Sequence, residues 1–160
     1  MLPDIYKFSL IILLLSIGSC SSNNETLLSQ GSLSDQAKII NVECTGQPMN
    51  YTFNVTIESP DTGCDQYADW WEVFYPDSTL IYRRILGHSH VTEQPFTRSG
   101  GIVNVGPDAF IYVRAHMNNL GYGTPVFSGN VREGLVVDTL SVTYASLLEN
   151  QSPLPDNCAF

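Results

Sequence analysis

The sequence predicts an all-β fold, one antiparallel β-sandwich of about seven to nine strands. Two observations carry this expectation. In residues 49–57, Met49, Tyr51, Phe53, Val55 and Ile57 alternate with Asn50, Thr52, Asn54 and Thr56, the period of a strand with one buried face. Elsewhere beyond residue 37 the chain breaks into short runs rich in Val, Ile, Tyr and Trp, punctuated by Gly, Pro, Asn and Asp, with no sustained helical period. Composition agrees: 43% hydrophobic and only 14% charged suits a surface made of Ser, Thr, Asn and Tyr as much as of ions. A net charge of -9, from 16 acids against 7 bases, gives the chain no electrostatic reason to hold nucleic acid, since phosphate binding needs a basic patch, and no nucleic-acid partner is expected.

The chain divides into three parts. Residues 1–19 begin with a segment carrying Lys7, continue through an apolar run over 8–17 and end in small residues, which reads as a signal peptide too short to span a bilayer. The ending Ile17-Gly18-Ser19-Cys20 resembles the lipobox of bacterial lipoproteins. That resemblance implies that the Cys20 thiol is acylated, that the leader is cut just before it, and that the mature chain is exported and anchored to a bacterial membrane. Ser21 in the next position, in place of an acidic residue, favours the outer membrane under the same resemblance. Residues 20–36 (CSSNNETLLSQGSLSDQ) are polar and aperiodic and read as a flexible tether. Residues 37–160 are the expected sandwich domain. The whole resembles small bacterial lipoproteins, which implies a location and no activity.

Within the domain, 37–44 is a short β-type run closed by the turn Thr45-Gly46-Gln47-Pro48, and the alternating strand 49–57 follows. The loop 59–69 spaces Asp61, Asp65 and Asp69 by four; it lacks the alternate-residue density of calcium loops and reads as an ordinary turn. Residues 70–75 and 79–86 form a hairpin about Pro76-Asp77-Ser78, with large apolar groups on both faces of each strand. A loop over 91–101 contains Glu93 and Arg98 as a possible pair and two glycines suited to positive φ. A short strand is expected at 102–105, and in 110–117 Ile111, Val113, Ala115 and Met117 form an apolar face opposite Phe110, Tyr112, Arg114 and His116. The last strands fall at 126–131 and 135–144, with one helical turn over 145–150.

The segment YVRAHMNNLGYGTP resembles the penultimate strand of fibronectin type III and related immunoglobulin-like domains, with Asn118, Gly121, Gly123 and Pro125 in place and one residue too many between Ala115 and Asn118. The resemblance implies an immunoglobulin-like sandwich, in agreement with a tryptophan-bearing third strand.

Cys44, Cys64 and Cys158 leave an odd thiol in the mature region. If 37–44 and 49–57 form a hairpin, Cys44 sits at its turn and Cys64 past the other end, about 30 Å away at ~3.3 Å per residue. A bridge requires Cα atoms within about 7 Å. Counting strand reversals returns the chain to the Cys64 end near Tyr144, so Cys64–Cys158 is the expected disulfide, with Cys44 a small free thiol.

Three histidines mark the candidate site. His88 and His90, spaced i, i+2, share a face on an extended segment, and His116 lies on the polar face of a strand in the same expected sheet. With Glu93 as fourth ligand they suit zinc, copper or iron. His88, His90, Glu93 and Gly100 also resemble the first metal motif of cupins, one residue short between His90 and Glu93 and with only His116 for the second motif; this makes a cupin-like β-barrel the alternative fold and a metalloenzyme an alternative function. The histidines serve equally well as hydrogen-bonded structural residues. A second candidate is a protein- or glycan-binding surface of Trp70, Tyr82, Arg84, Tyr112 and Arg114. No nucleophile elbow surrounds Ser89 or Ser99, and nothing sets the separation of Glu72 and Glu93, so no catalytic residue is assigned and a non-enzymatic binding module is expected. Asn24, Asn50, Asn54 and Asn150 head N-x-S/T sequons, which would suit a eukaryotic secreted origin instead.

Overall fold

The computed structural model describes residues 35–159; the leader, Cys20 and nearly all of the tether lie outside the described residues. Alternation shapes the first sheet. In β2 (Asn50–Glu58) Tyr51, Phe53, Val55 and Ile57 are all buried, while Asn50 and Thr52 face solvent. β2 pairs on one side with β1 (Lys38–Gln47) and on the other with β5 (Phe96–Val103). Met49 does not join that inner face as its parity suggested. It sits in the hairpin turn at φ 66° and is exposed.

The second sheet orders β4 (Leu80–Ile85), β3 (Ala68–Phe74), β6 (Ile111–Met117), β8 (Pro125–Asn130) and β9 (Gly134–Thr139), with the two-residue β7 (Gly121–Tyr122) also pairing with β6. All pairings are antiparallel. The chain therefore leaves the first sheet after β2, builds the β3–β4 hairpin in the second, returns for β5 and crosses again for β6. Among the described residues the sheets do not close on each other, so the arrangement is a sandwich and not the cupin-like barrel. Between the sheets Phe53, Val55 and Ile57 meet Trp71, Val73, Ile111, Val113 and Met117 in one core.

One strand lies where a loop is expected. The stretch 96–101 is not a loop leading to a strand at 102–105; it is most of β5. Gly100 is in the strand because a side chain there has no room: a Cβ would stand 2.7 Å from Trp71 Cζ2 and 2.8 Å from the Tyr82 ring. The last strand ends at Thr139 and not near Tyr144, and Ser146–Asn150 forms the expected helical turn, as a 3₁₀ helix. Cys64 and Cys158 form the expected disulfide, Cα to Cα 5.6 Å. Cys44 is the free thiol, half-buried on β1, and burial pushes its pKa up to about 12.

Candidate functional site

β3 is buried along both faces. Trp71 and Val73 point into the sandwich, whereas Trp70, Glu72 and Phe74 point outward and are covered by the chain beyond β9. Leu148 of the 3₁₀ helix is buried against Trp70, Phe74 and Tyr122, with Leu140 and Tyr144 packed around them.

Register brings the charges of this outer layer together. Glu72 lies directly opposite Arg83 on β4 and Arg114 on β6, and directly opposed residues share a face. Its carboxylate accepts from Arg83 Nε at 2.9 Å and from Arg114 Nε at 2.8 Å, and all three side chains are withdrawn from water. Two guanidiniums against one carboxylate leave donors in excess, and the C-terminal segment satisfies them. Arg83 donates to the carbonyls of Leu148, Gln151 and Pro153, and Arg114 to those of Tyr144 and Ala145. The guanidiniums also lie over aromatic rings, Arg83 at 4.5 Å from Trp70 and Arg114 at 4.4 Å from Phe74. Burial pushes the Tyr122 hydroxyl up, with the Glu72 charge adding to it.

This layer corrects the expected ligand surface. Trp70 and Arg114 are buried under the C-terminal segment, and Tyr112 is half-buried against Phe74 and Tyr144. Tyr82 and Arg84 lie opposite Val73 and Trp71 and so belong to the other face of the sheet. The five residues form no common surface.

The histidines are likewise divided. His88 is exposed and its ring centroid stands 4.5 Å from that of His90. His90 is buried, stacked on Phe96 at 3.8 Å, with neither ring nitrogen hydrogen-bonded. Burial lowers its pKa, with the Arg98 charge adding to the effect. Its backbone N–H donates to Asp61, whose carboxylate also accepts from Ser59 Oγ and the Ala68 N–H, so this aspartate organises the loop. Glu93 is exposed and pairs with Arg98 at 2.7 Å, as its spacing suggested. His116 instead stacks on Trp70, 3.6 Å between centroids, and bonds to Asp69. Among the described residues no group of three or more His, Cys, Asp or Glu could hold a metal ion. The expected convergence fails because parity is lost after β4: residues 86–95 run as bends and turns, so His88 and His90 do not continue the face on which His116 lies.

The feature with the most chemical capacity was not legible as a site. An open groove of about 390 Å³ runs between the ends of β3 and β6 and the C-terminal segment, lined by Asp69, Trp70 and His116 on one side and by Glu149, Leu154 and Asp156 on the other. His116 Nδ1 and Asp69 Oδ1 are 2.7 Å apart. With Asp69 ionised, Nδ1–H donates and Nε2 is left as the ring's acceptor nitrogen. Burial raises the Asp69 pKa, and the hydrogen bond from His116 opposes that rise. Burial and the charges of Asp69 and Asp61 raise that of Tyr67, which also lines the groove. Asp69 is the last of three regularly spaced aspartates, and the sequence signal for its role was its place directly before Trp70, in a strand whose other charged residue is Glu72.

No protein-family profile matches the chain, and no solved structure matches it significantly. Over 101 residues, 63% of the chain, it is 36% identical to a protein of Halomicrobium mukohataei provisionally named a lipoprotein. The match covers 46% of that protein, so the chain spans about half the length of the relative. A match of 101 residues is too long to lie within the leader and tether, and it extends into the sandwich.

Proposed function

We propose that the chain is an exported lipoprotein, anchored to a membrane through acylated Cys20, whose immunoglobulin-like sandwich is a non-enzymatic binding module with the Asp69–His116 groove as its ligand site. The observation that carries the anchoring is the 36% identity to a protein named as a lipoprotein, taken together with a cysteine at the end of an apolar leader. The Cys64–Cys158 disulfide supports export, since such bridges persist in oxidising compartments. Strands β1, β2 and β5 facing β4, β3, β6 and β8 support the immunoglobulin-like reading. For the groove, the support is a buried carboxylate–imidazole pair opening on a recess. No serine, threonine or cysteine side chain hydrogen-bonds to His116 among the described residues, which favours binding over nucleophilic catalysis.

The anchoring is tested on the full chain by detergent phase partition and by the mass of the peptide that begins at residue 20. Wild type is expected in the detergent phase with a diacylglyceryl mass on Cys20, and Cys20→Ala in the aqueous phase. Equal partition of the two chains, or an unmodified Cys20 peptide, overturns the anchor.

A further inference from the structure

We propose that Asn50 is an acceptor for an N-linked glycan, attached where the β1–β2 hairpin opens on the outer face of the three-stranded sheet. This rests on the chain being exported, since N-linked glycans belong to secreted chains. Three N-x-S/T sequons fall among the described residues, at Asn50, Asn54 and Asn150, none with proline in the middle position. A folded sequon is usable where its carboxamide and the hydroxyl two residues on reach solvent together. On a strand residues i and i+2 share a face, so Asn50 and Thr52 project side by side from the outer face of β2, and both are exposed. Asn50 also stands at the very end of its strand, next to the turn in which Met49 takes φ 66°. The other two sequons are less open. Asn54 is half-buried in mid-strand, and its carboxamide accepts from Ser99 Oγ at 2.6 Å. Asn150 is exposed, but Arg83 holds the carbonyls of Gln151 and Pro153 on either side of its Ser152.

The independent observation is apolar exposure around this one sequon. Met49, directly before Asn50, is 53% exposed, and Ile102, in the irregular stretch of β5 that opposes Thr52, is 67% exposed. The Met49 N–H donates to the Val105 carbonyl, which ties the turn to the chain just beyond Ile102. Exposed apolar side chains scattered singly call for no cover, but two flanking one sequon do. A glycan is bulky and solubilising, and from Asn50 it spreads over the surface on which Met49 and Ile102 stand. The transfer is a substitution at a sugar carbon, with a lipid-phosphate-linked glycan as co-reactant. The Asn50 amide nitrogen bonds to the anomeric carbon, the bond from that carbon to the phosphate oxygen breaks, and the lipid phosphate leaves with the electron pair. The nitrogen gives one proton to the medium, and nothing is oxidised or reduced.

The full chain is recovered from the membranes of the cells that encode it, reduced and digested with trypsin, and the peptide 39–83, which carries both Asn50 and Asn54, is read by electron-transfer fragmentation. Added sugar mass is expected on Asn50 and none on Asn54. Thr52→Val, made in the same cells, removes the hydroxyl at an exposed position and keeps the branched shape that suits a strand, so the fold stands while Asn50 is expected bare. Thr52→Ser, which restores a hydroxyl, is expected to restore the glycan. A bare Asn50 in the wild-type chain, or a glycan that persists in Thr52→Val, overturns the proposal. The Cys20 peptide of the same digest reads the anchor separately. Acylated Cys20 beside a bare Asn50 overturns the glycan and leaves the exported lipoprotein standing, whereas an unmodified Cys20 beside a bare Asn50 removes both.

Discussion

Replacing Glu72 by Gln tests whether the outer layer is held by charge. The carboxylate is fully buried and accepts from the Nε of both Arg83 and Arg114. The amide keeps the volume but leaves two buried guanidiniums without a counter-charge, and breaking a buried pair in this way costs about 3–5 kcal/mol. Against a total stability of about 5–15 kcal/mol for a domain, that is a large fraction. Urea unfolding followed by tryptophan fluorescence reads it directly, because Trp70 lies under Arg83. The expected result is a lower midpoint at unchanged slope. A loss below about 1 kcal/mol would refute the reasoning, since that is the range of exposed pairs. A second variant separates the ion pairs from the tail. Glu72→Leu/Arg83→Met/Arg114→Met removes all three charges, a change that is often neutral when an ion triad is isolated. Here it also strips donors from the carbonyls of Tyr144, Ala145, Leu148, Gln151 and Pro153. The bond to Leu148 is itself buried, so at least its carbonyl is orphaned at about 1–3 kcal/mol. Wild-type stability in the triple variant would show that the guanidiniums do not hold the tail.

Three further outcomes follow from packing, connectivity and titration. Gly100→Ala should cost about 1–3 kcal/mol by overpacking, because the new Cβ meets Trp71 and Tyr82 below 3 Å, whereas Gly87→Ala, with nothing within 4 Å, should be close to neutral; thermal melts of the two variants decide it. Cys64→Ala/Cys158→Ala opens a bridge across 94 residues, for which the loop-entropy estimate is about 4–5 kcal/mol; limited proteolysis should then clip the chain first beyond Thr139, and cutting elsewhere would place the weak point outside the tail. His90, with its pKa lowered by burial, is neutral in the fold, so the unfolded chain takes up its proton first. Stability is therefore full above the ordinary histidine value of about 6.5 and falls as pH drops below it. Asp69, with a raised pKa, has the opposite sign in a more acidic window. Subtracting the pH profile of His90→Phe from that of wild type isolates the histidine; parallel profiles between pH 7.5 and 5.5 would show that it contributes nothing.

What the sequence disclosed depended on whether a strand has one buried face or two. β2 alternates because its outer face meets water, and all four of its apolar positions fall in the core, Met49 being left outside in the turn. β3 carries Trp70, Trp71, Val73 and Phe74 because both of its faces are covered, so period two vanishes and inside cannot be told from outside. The second cover is the chain from Leu140 onward, whose aperiodic, proline-bearing sequence hints at docking only through Cys158. Its attachment is made by side chains of other elements, Arg83 and Arg114, to backbone carbonyls that any sequence would offer. The disulfide was accessible because it needs only strand reversals and a distance limit. The ion triad needed register: Glu72 meets Arg83 and Arg114 only when β3 is paired in the right phase with both neighbours. Its one visible trace was a glutamate amid tryptophans. Gly100 and Gly101 misled because glycine signals both turns and close approach, and the aromatic rings that approach Gly100 come from β3 and β4.

The groove and the tail are thermodynamically one unit. One wall belongs to β3 and β6 and the other to residues 149–158, which the arginine clamp, the disulfide and the Ala159 N–H to Gly87 carbonyl bond at 2.7 Å hold in place. A tail that lifts from the sheet destroys the groove, so any ligand that spans both walls binds only the docked state. Such a ligand must stabilise docking by RT ln(1 + [L]/Kd), about 2.7 kcal/mol at a hundredfold excess over Kd. The same linkage makes the clamp matter for affinity without touching the ligand. If a weakened clamp leaves the tail docked only part of the time, the apparent affinity falls by the docked fraction while the intrinsic contacts are unchanged. Loss of binding in Glu72→Gln would therefore report on docking, and loss in Asp156→Asn on recognition.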